Sequence, residues 1–172
     1  MAISKAGFSP IVGCDPKVLV LGSMPGEASL RQEQYYAHPY NAFWYIMGGL
    51  FHFSVDATYA ERVVQLKKNR IALWDVLREC EREGSLDSSI IGSSIKTNDF
   101  SRLLTLQSSI QLIVFNGVTA EREFKKRVLP DLDRQHQLIQ MIRLPSTSPA
   151  MATLSREQKM AQWSVIVEAL VL

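Results

Sequence analysis

The sequence predicts an α/β fold: a mostly parallel sheet with helices on both faces. Three observations carry the prediction. Four apolar runs, Val18–Leu21, Ile71–Trp74, Ile110–Phe115 and Leu138–Leu144, read as strands. Segments with apolar residues at helical spacing separate them, the alternation that builds parallel sheets. Three of the strands end in turns or breakers: Gly22-Ser23-Met24-Pro25-Gly26, Asn116-Gly117 and Pro145. The 172 residues suit one domain spanning 1–172.

Taken in order, Val18–Leu21 is the first buried strand, and Glu27-Ala28-Ser29-Leu30 begins a helix after the Gly-rich turn. Ala42–Phe51 reads as a helix that closes at Gly48-Gly49 or soon after. Asp56–Lys68 is amphipathic, with Tyr59, Val63 and Leu66 on one face and Asp56 as a plausible N-cap. Ile71–Trp74 is the second strand. Val76–Glu83 reads as a short helix ended by Gly84, and the Ser-rich stretch Ser85–Asn98 as loop. A helix over Asp99–Leu106 follows, capped by Asn98 or Asp99. The third strand, Ile110–Phe115, leads through Asn116-Gly117 into a helix over Val118–Leu129, stopped by Pro130. Leu138–Leu144 is the fourth strand. Ser155–Leu170 is the last helix, with Ser155 as N-cap and Gln158 in the capping-box position.

Composition excludes some classes. Hydrophobic residues make up 47% and charged residues 21%, ordinary for a soluble globular protein. No apolar run approaches the roughly 18 residues of a membrane span. Met1-Ala2-Ile3-Ser4-Lys5 lacks a secretory apolar core. Cys14 and Cys80 stand alone, without metal-ligand spacing, and fit a reduced cytoplasmic setting. The net charge of +2 permits nucleic-acid binding without demanding it. Neither a Walker A loop nor a dinucleotide fingerprint is present, which argues against a nucleotide or phosphate-ester enzyme of another α/β type.

Three segments can carry chemistry. The Gly22–Gly26 turn ends a buried strand, where open α/β sheets place ligands and where glycines admit close approach. His38-Pro39-Tyr40-Asn41-Ala42-Phe43-Trp44 is polar and aromatic. Leu144-Pro145-Ser146-Thr147-Ser148-Pro149-Ala150-Met151 is a late loop with three hydroxyls. Together and in this order they resemble the uracil-DNA glycosylase superfamily, closely its mismatch-specific branch, with a Gly-x-Asn-Pro-Gly turn and a His-Pro-x-Asn-x-Phe-Trp segment. The resemblance runs from about Val18 to the final helix. It implies a three-layer α/β/α sandwich around a four-stranded parallel sheet.

The resemblance also exposes departures. Met24 stands where the mismatch-specific branch has its catalytic Asn, and a thioether cannot hold a water. Leu144 stands where other branches carry a His ahead of the late Pro-Ser. This pattern resembles the hypoxanthine-DNA glycosylase branch, which uses the Asn of the His-Pro-x-Asn segment. The catalytic role therefore falls to Asn41. An amide can hold a water through its carbonyl oxygen and donate from its NH2. Asn41 equally suits the N-cap of the following helix, and one residue can do both.

A glycosylase must first flip its base out of the duplex, which costs a few kcal/mol. Phe43, Trp44, Tyr36 and Tyr40 are candidates to stack on it, with Tyr36 or Phe43 nearest; Phe43 and above all Trp44 also read as core. Ser23 and Met24 line the expected pocket. Trp74 and Asp75, at a strand end, offer an aromatic wall and a carboxylate that can accept from hypoxanthine N1–H; packing and helix capping explain them equally well. Asn116 belongs to the same crevice or simply to an Asn-Gly turn. Gly26, His38, Ser146, Thr147 and Ser148 are candidate DNA contacts, and Met151 is a candidate wedge for the vacated stack. His38 also suits a structural hydrogen bond, while His52 and His136 receive no role.

The implied activity is that of a monofunctional DNA glycosylase removing a deaminated base, hypoxanthine first and uracil second. The other reading is a binding protein of the same fold without catalysis, which Met24 and Leu144 favour. No metal or cofactor is implied, since water is the nucleophile. No lysine lies in the three loops to form the Schiff base of a lyase. The expected partner is DNA containing deaminated bases, with no membrane and no protein partner.

Overall fold

A computed structural model describes residues 3–171. The chain begins with strand β1 (Ile3–Ala6), then β2 (Val18–Gly22), helix α1 (Glu27–Gln32), α2 (Phe43–Phe51), α3 (Tyr59–Lys68) and β3 (Ile71–Asp75). Next come β4 (Leu77–Arg82), β5 (Lys96–Thr97), α4 (Phe100–Leu106), β6 (Leu112–Asn116) and α5 (Val118–Arg127). The chain ends with α6 (Arg134–Gln137), β7 (Gln140–Leu144), α7 (Arg156–Trp163) and α8 (Val165–Val171).

The main sheet has the order β3-β2-β6-β7, every neighbouring pair parallel. Side chains on a strand alternate between faces, so each buried strand feeds two cores. Leu19, Leu21, Ala72, Ile113 and Phe115 pack one face against Phe100 of α4 and Phe124 of α5. Val18, Val20, Leu73 and Val114 pack the other against Phe43, Ile46 and Met47 of α2, Leu66 of α3 and Trp163 of α7. Both faces are thus covered, which explains why these strands read as nearly continuous apolar runs.

The register sets the site. Gly22 lies level with Asp75, and Asn116 with Leu144. Leu21 pairs with Phe115, which brings Gly22 and Asn116 to the same C-terminal edge.

Some elements depart from the sequence reading. Val76–Glu83 is not a helix: Leu77–Arg82 is a strand, antiparallel to both β1 and β5 in a separate three-stranded sheet. Its buried residues are Leu77, Cys80 and Arg82, with a register shift between Leu77 and Glu79. The bulge blurs strict alternation and leaves a helix-like spacing. Pairing with residues some 75 positions away, Ile3 with Arg82, overrides that local pattern. The small sheet is tied to the rest by Lys5, whose Nζ donates to Gly84 O and Glu27 Oε1, both at 3.0 Å.

The caps also differ in part. Asp56 does not cap α3; Thr58 does, in a capping box with Glu61. Helix α2 runs through Gly48-Gly49 to Phe51 and ends at His52 in the left-handed region. Pro130 falls inside a 3-10 turn over Leu129–Asp131, after α5 has ended at Arg127. The last helix is two: α7 starts at the expected Ser155–Gln158 capping box, and the chain re-enters a helix after Ser164. No helix among the described residues is long and apolar enough to cross a membrane.

Candidate active site

A cavity of about 600 Å³ opens at the C-terminal edge of the main sheet, the expected position for a ligand crevice in an open parallel sheet. Its volume suits a small organic ligand such as a base. All three segments singled out in the sequence contribute to its wall, through Gly22–Gly26, His38 and Asn41, and Ser146–Met151.

The floor is built from strand ends. Asp75 is 3% exposed and its Oδ2 is buried without a hydrogen-bond partner among the described residues. Burial, then the charge of Asp87, push its carboxyl up to about 7, with Arg82 opposing. Gly22 sits beside it, where a Cβ would run into Asp75 Oδ1 and approach the Tyr36 hydroxyl to 2.9 Å. Only glycine leaves that corner open.

Tyr36 forms a wall. Its backbone is left-handed, φ 54°, which costs a non-glycine residue about 1–2 kcal/mol. Two contacts offset that cost. Its ring stacks on Phe43 with centroids 4.2 Å apart, and its hydroxyl accepts from Asn116 Nδ2 at 3.1 Å. Asn116 is the hub of the roof. Its Nδ2 donates to Thr147 Oγ1 and its Oδ1 accepts from Thr147 N–H, both at 2.9 Å. The Thr147 carbonyl in turn accepts from Ala42 N–H at 2.9 Å, where α2 begins. Pro145 O accepts from Trp163 Nε1 at 2.9 Å, and Ser148 O from the buried Lys159 Nζ at 3.1 Å. The late loop is therefore pinned from beneath at three points.

Asn41 lies in the wall with its Oδ1 accepting from Phe43 N–H at 3.0 Å. It caps the start of α2 from one position before the formal N-cap, Ala42. Its Nδ2 has no hydrogen-bond partner among the described residues, and its oxygen keeps a second lone pair.

Most of the expected residues line the cavity: Ser23, Met24, Gly26, Tyr36, His38, Asn41, Asp75, Asn116, Ser146, Thr147, Ser148 and Met151. Four do not. Tyr40 is exposed outside the wall, and Trp44 is buried with Nε1 donating to Tyr35 O at 2.9 Å. Phe43 is fully buried beneath Tyr36. Trp74 faces the opposite core, 5.1 Å from Phe100, with Nε1 donating to Phe8 O; strand alternation sends it away from Asp75. Thr147, 1% exposed, spends its hydroxyl on Asn116. His38 Nδ1 accepts from Tyr40 N–H at 3.2 Å, a local turn contact. Ser146 and Ser148 hydroxyls accept from nearby backbone N–H groups within their own loop.

Asp87 was not legible in the sequence. It comes from the stretch read as loop, lines the cavity, and accepts from Ser23 Oγ at 2.8 Å with each oxygen. Behind it the fully buried Arg82 donates to Pro25 O at 2.5 Å and Gly84 O at 3.0 Å, with Nη1 3.9 Å from Asp87.

Residues 10–170 match the family model for the uracil DNA glycosylase superfamily. The chain belongs to that superfamily. Two relatives called hypoxanthine DNA glycosylase are similar to it. The one from Methanosarcina barkeri is 39% identical over 116 residues, covering 67% of this chain and 72% of the relative. The one from Methanosarcina acetivorans is 41% identical over 114 residues, covering 66% and 71%. A solution NMR structure from Methanosarcina acetivorans, described as a candidate uracil DNA glycosylase, superposes with a TM-score of 0.81 at 33% identity, covering 99% of this chain and 100% of that one. The fold is thus the superfamily's three-layer sandwich, and the protein is a monofunctional DNA glycosylase. Its cavity wall contains no lysine among the described residues.

Proposed function

We propose that this glycosylase hydrolyses the N-glycosidic bond of hypoxanthine in DNA after flipping the nucleotide into the cavity. The observation that carries the reading is Asn41: an amide in the wall, held by Phe43 N–H, with its NH2 group free of partners among the described residues. It orients the attacking water through its oxygen. The two relatives that carry the name hypoxanthine DNA glycosylase support the choice of base.

The rest of the wall has matching duties. Tyr36, backed by Phe43, stacks on the base. The Asp75 carboxylate accepts from hypoxanthine N1–H, a donor that adenine lacks. Gly26, His38, Ser146, Ser148 and Met151, also in the wall, contact the DNA strand around the flipped nucleotide. Glycosidic cleavage builds positive charge on the sugar and negative charge on the base, so a water-poor cavity with fixed dipoles lowers the barrier.

The test is a panel of duplex oligonucleotides, each carrying one hypoxanthine or one uracil, treated with enzyme and then hot alkali. Cleavage at hypoxanthine supports the reading, and a stronger signal at uracil replaces the base. Binding without cleavage overturns catalysis in favour of a non-catalytic binder. Asn41→Ala is expected to abolish release; undiminished release removes Asn41 from the mechanism.

A further inference from the structure

The reading above leaves one proton without an acceptor. Water that adds to a sugar must lose a proton, and Asn41, an amide, cannot take it. The Gly22–Gly26 turn offers only the hydroxyl of Ser23 and the thioether of Met24. A carboxylate nevertheless reaches that turn, from residues some 60 positions away. We propose that Asp87 is a catalytic residue of this site, taking the proton from the water that Asn41 orients. The inference rests on the glycosidic-hydrolysis reading and deepens it.

Placement argues first. Asp87 and Asn41 line the same cavity. The Asp87 carboxylate is partly exposed there, and Ser23 Oγ fixes it through both oxygens at 2.8 Å. A single hydroxyl proton is shared between the two oxygens, so lone pairs remain for a water. The support behind it is rigid. Arg82 is fully buried and bonded to Pro25 O and Gly84 O, locking the turn to the loop. Its Nη1 has no hydrogen-bond partner among the described residues and stands 3.9 Å from Asp87, close enough to favour the ionised carboxylate.

A merely structural tie does not explain the arrangement. Any acceptor serves Ser23, whereas a carboxylate here repels Asp75. Unfavourable charge crowding in a cleft marks functional sites. The groups facing Asp87 are Ser23 of the turn, Arg82 of β4, Thr119 and Arg122 of α5, and Asp75, Tyr36 and Cys80. Burial raises its carboxyl; Ser23, Arg82, Thr119 and Arg122 oppose that rise. A base with a raised affinity for protons is a better acceptor near neutral pH.

The step balances with water as the only co-reactant. The C1′–N9 bond breaks, and its electron pair leaves with hypoxanthine, which takes a proton from solvent. The water oxygen bonds to C1′. One water proton passes to Asp87 and then to solvent, leaving the hydroxyl of an abasic sugar.

The experiment is single-turnover release from a duplex carrying one deoxyinosine, with enzyme in excess, measured across pH. The wild-type rate is expected to fall on the acid side as Asp87 protonates. Asp87→Asn keeps an acceptor for Ser23 but no base. Its rate is expected to drop roughly 10²–10³-fold, while the Kd for the abasic product duplex stays within about threefold of wild type. Ser23→Ala removes a bond to the ionised carboxylate, so its acid limb is expected to move to higher pH. An Asp87→Asn rate within about threefold of wild type overturns the inference. Should Asp87→Asn fail to fold, the Ser23→Ala limb decides: a rise supports Asp87 and an unmoved limb overturns it. Active Asp87→Asn beside inactive Asn41→Ala defeats Asp87 alone. A wild type that releases no deaminated base from any duplex defeats the functional reading as well.

Discussion

Replacing Asn116 by Ala tests whether the roof of the cavity is one mechanical unit. The side chain makes three hydrogen bonds, one to Tyr36 and two with Thr147. The loss strands the buried N–H and hydroxyl of Thr147, since neither can reach water. Each stranded buried group costs about 1–3 kcal/mol, so the total is roughly 2–6 kcal/mol. At about 2–4 °C per kcal/mol for a chain of this size, the melting temperature is expected to fall by roughly 4–24 °C. The damage also reaches function, because Thr147 O holds Ala42 N–H beside Asn41 and Tyr36 loses the partner of its hydroxyl. Calorimetry with single-turnover base release is the assay. Thr147→Val keeps the N–H and removes only the hydroxyl, so the double variant is expected to cost less than the two singles summed. A melting temperature within about 1 °C of wild type, with base release intact, would refute the account of Asn116 as the hub.

Three further outcomes are expected. Gly22→Ala places a methyl group against Asp75 and Tyr36; binding of a duplex with a flipped base should weaken tenfold or more, about 1.4 kcal/mol, by fluorescence anisotropy. Trp74→Phe, which faces away from the cavity, is expected to lower stability by about 1–2 kcal/mol through the lost bond to Phe8 O, while the ratio of hypoxanthine to uracil release stays unchanged. The third concerns pH. The folded Asp75 carboxyl rises from 3.8 to about 7, so the native state holds its proton more tightly. Its stabilising contribution is complete below about pH 4 and disappears as pH rises through about 7. At 1.36 kcal/mol per pH unit the swing is of order 4 kcal/mol. Asp75→Asn should flatten the decline in denaturant midpoint between pH 5 and 8; an unchanged slope would exclude Asp75 as its source.

The central sheet was readable because its strands are buried on both faces, and continuous apolar runs such as Val18–Leu21 need no partner to be recognised. Caps were readable where a side chain bonds within its own turn, as at Ser155 and Asp99. The small sheet was not. Leu77–Arg82 becomes a strand only because β1 and β5 pair with it, and no local pattern reports a partner that distant. The same limit governed the site. Asn41 and the 146–151 loop stand in motifs, so their gathering at one sheet edge followed from the parallel register. For Phe43 and Trp74 the core alternative holds, and aromatic type alone does not reveal which face a residue takes. Asp87 sits in a polar, Ser-rich stretch, and only the folded chain shows that this stretch crosses the mouth of β2.

The tie between the chain's first strand and the cavity has a practical side. Lys5 grips Gly84, two residues from Arg82 and three from Asp87, while β1 pairs with the strand that carries Arg82. Edits near residues 3–6, including fusion handles placed there for purification, therefore act on the mouth of the cavity. Kinetic comparisons between differently tagged preparations of this enzyme need that variable held constant.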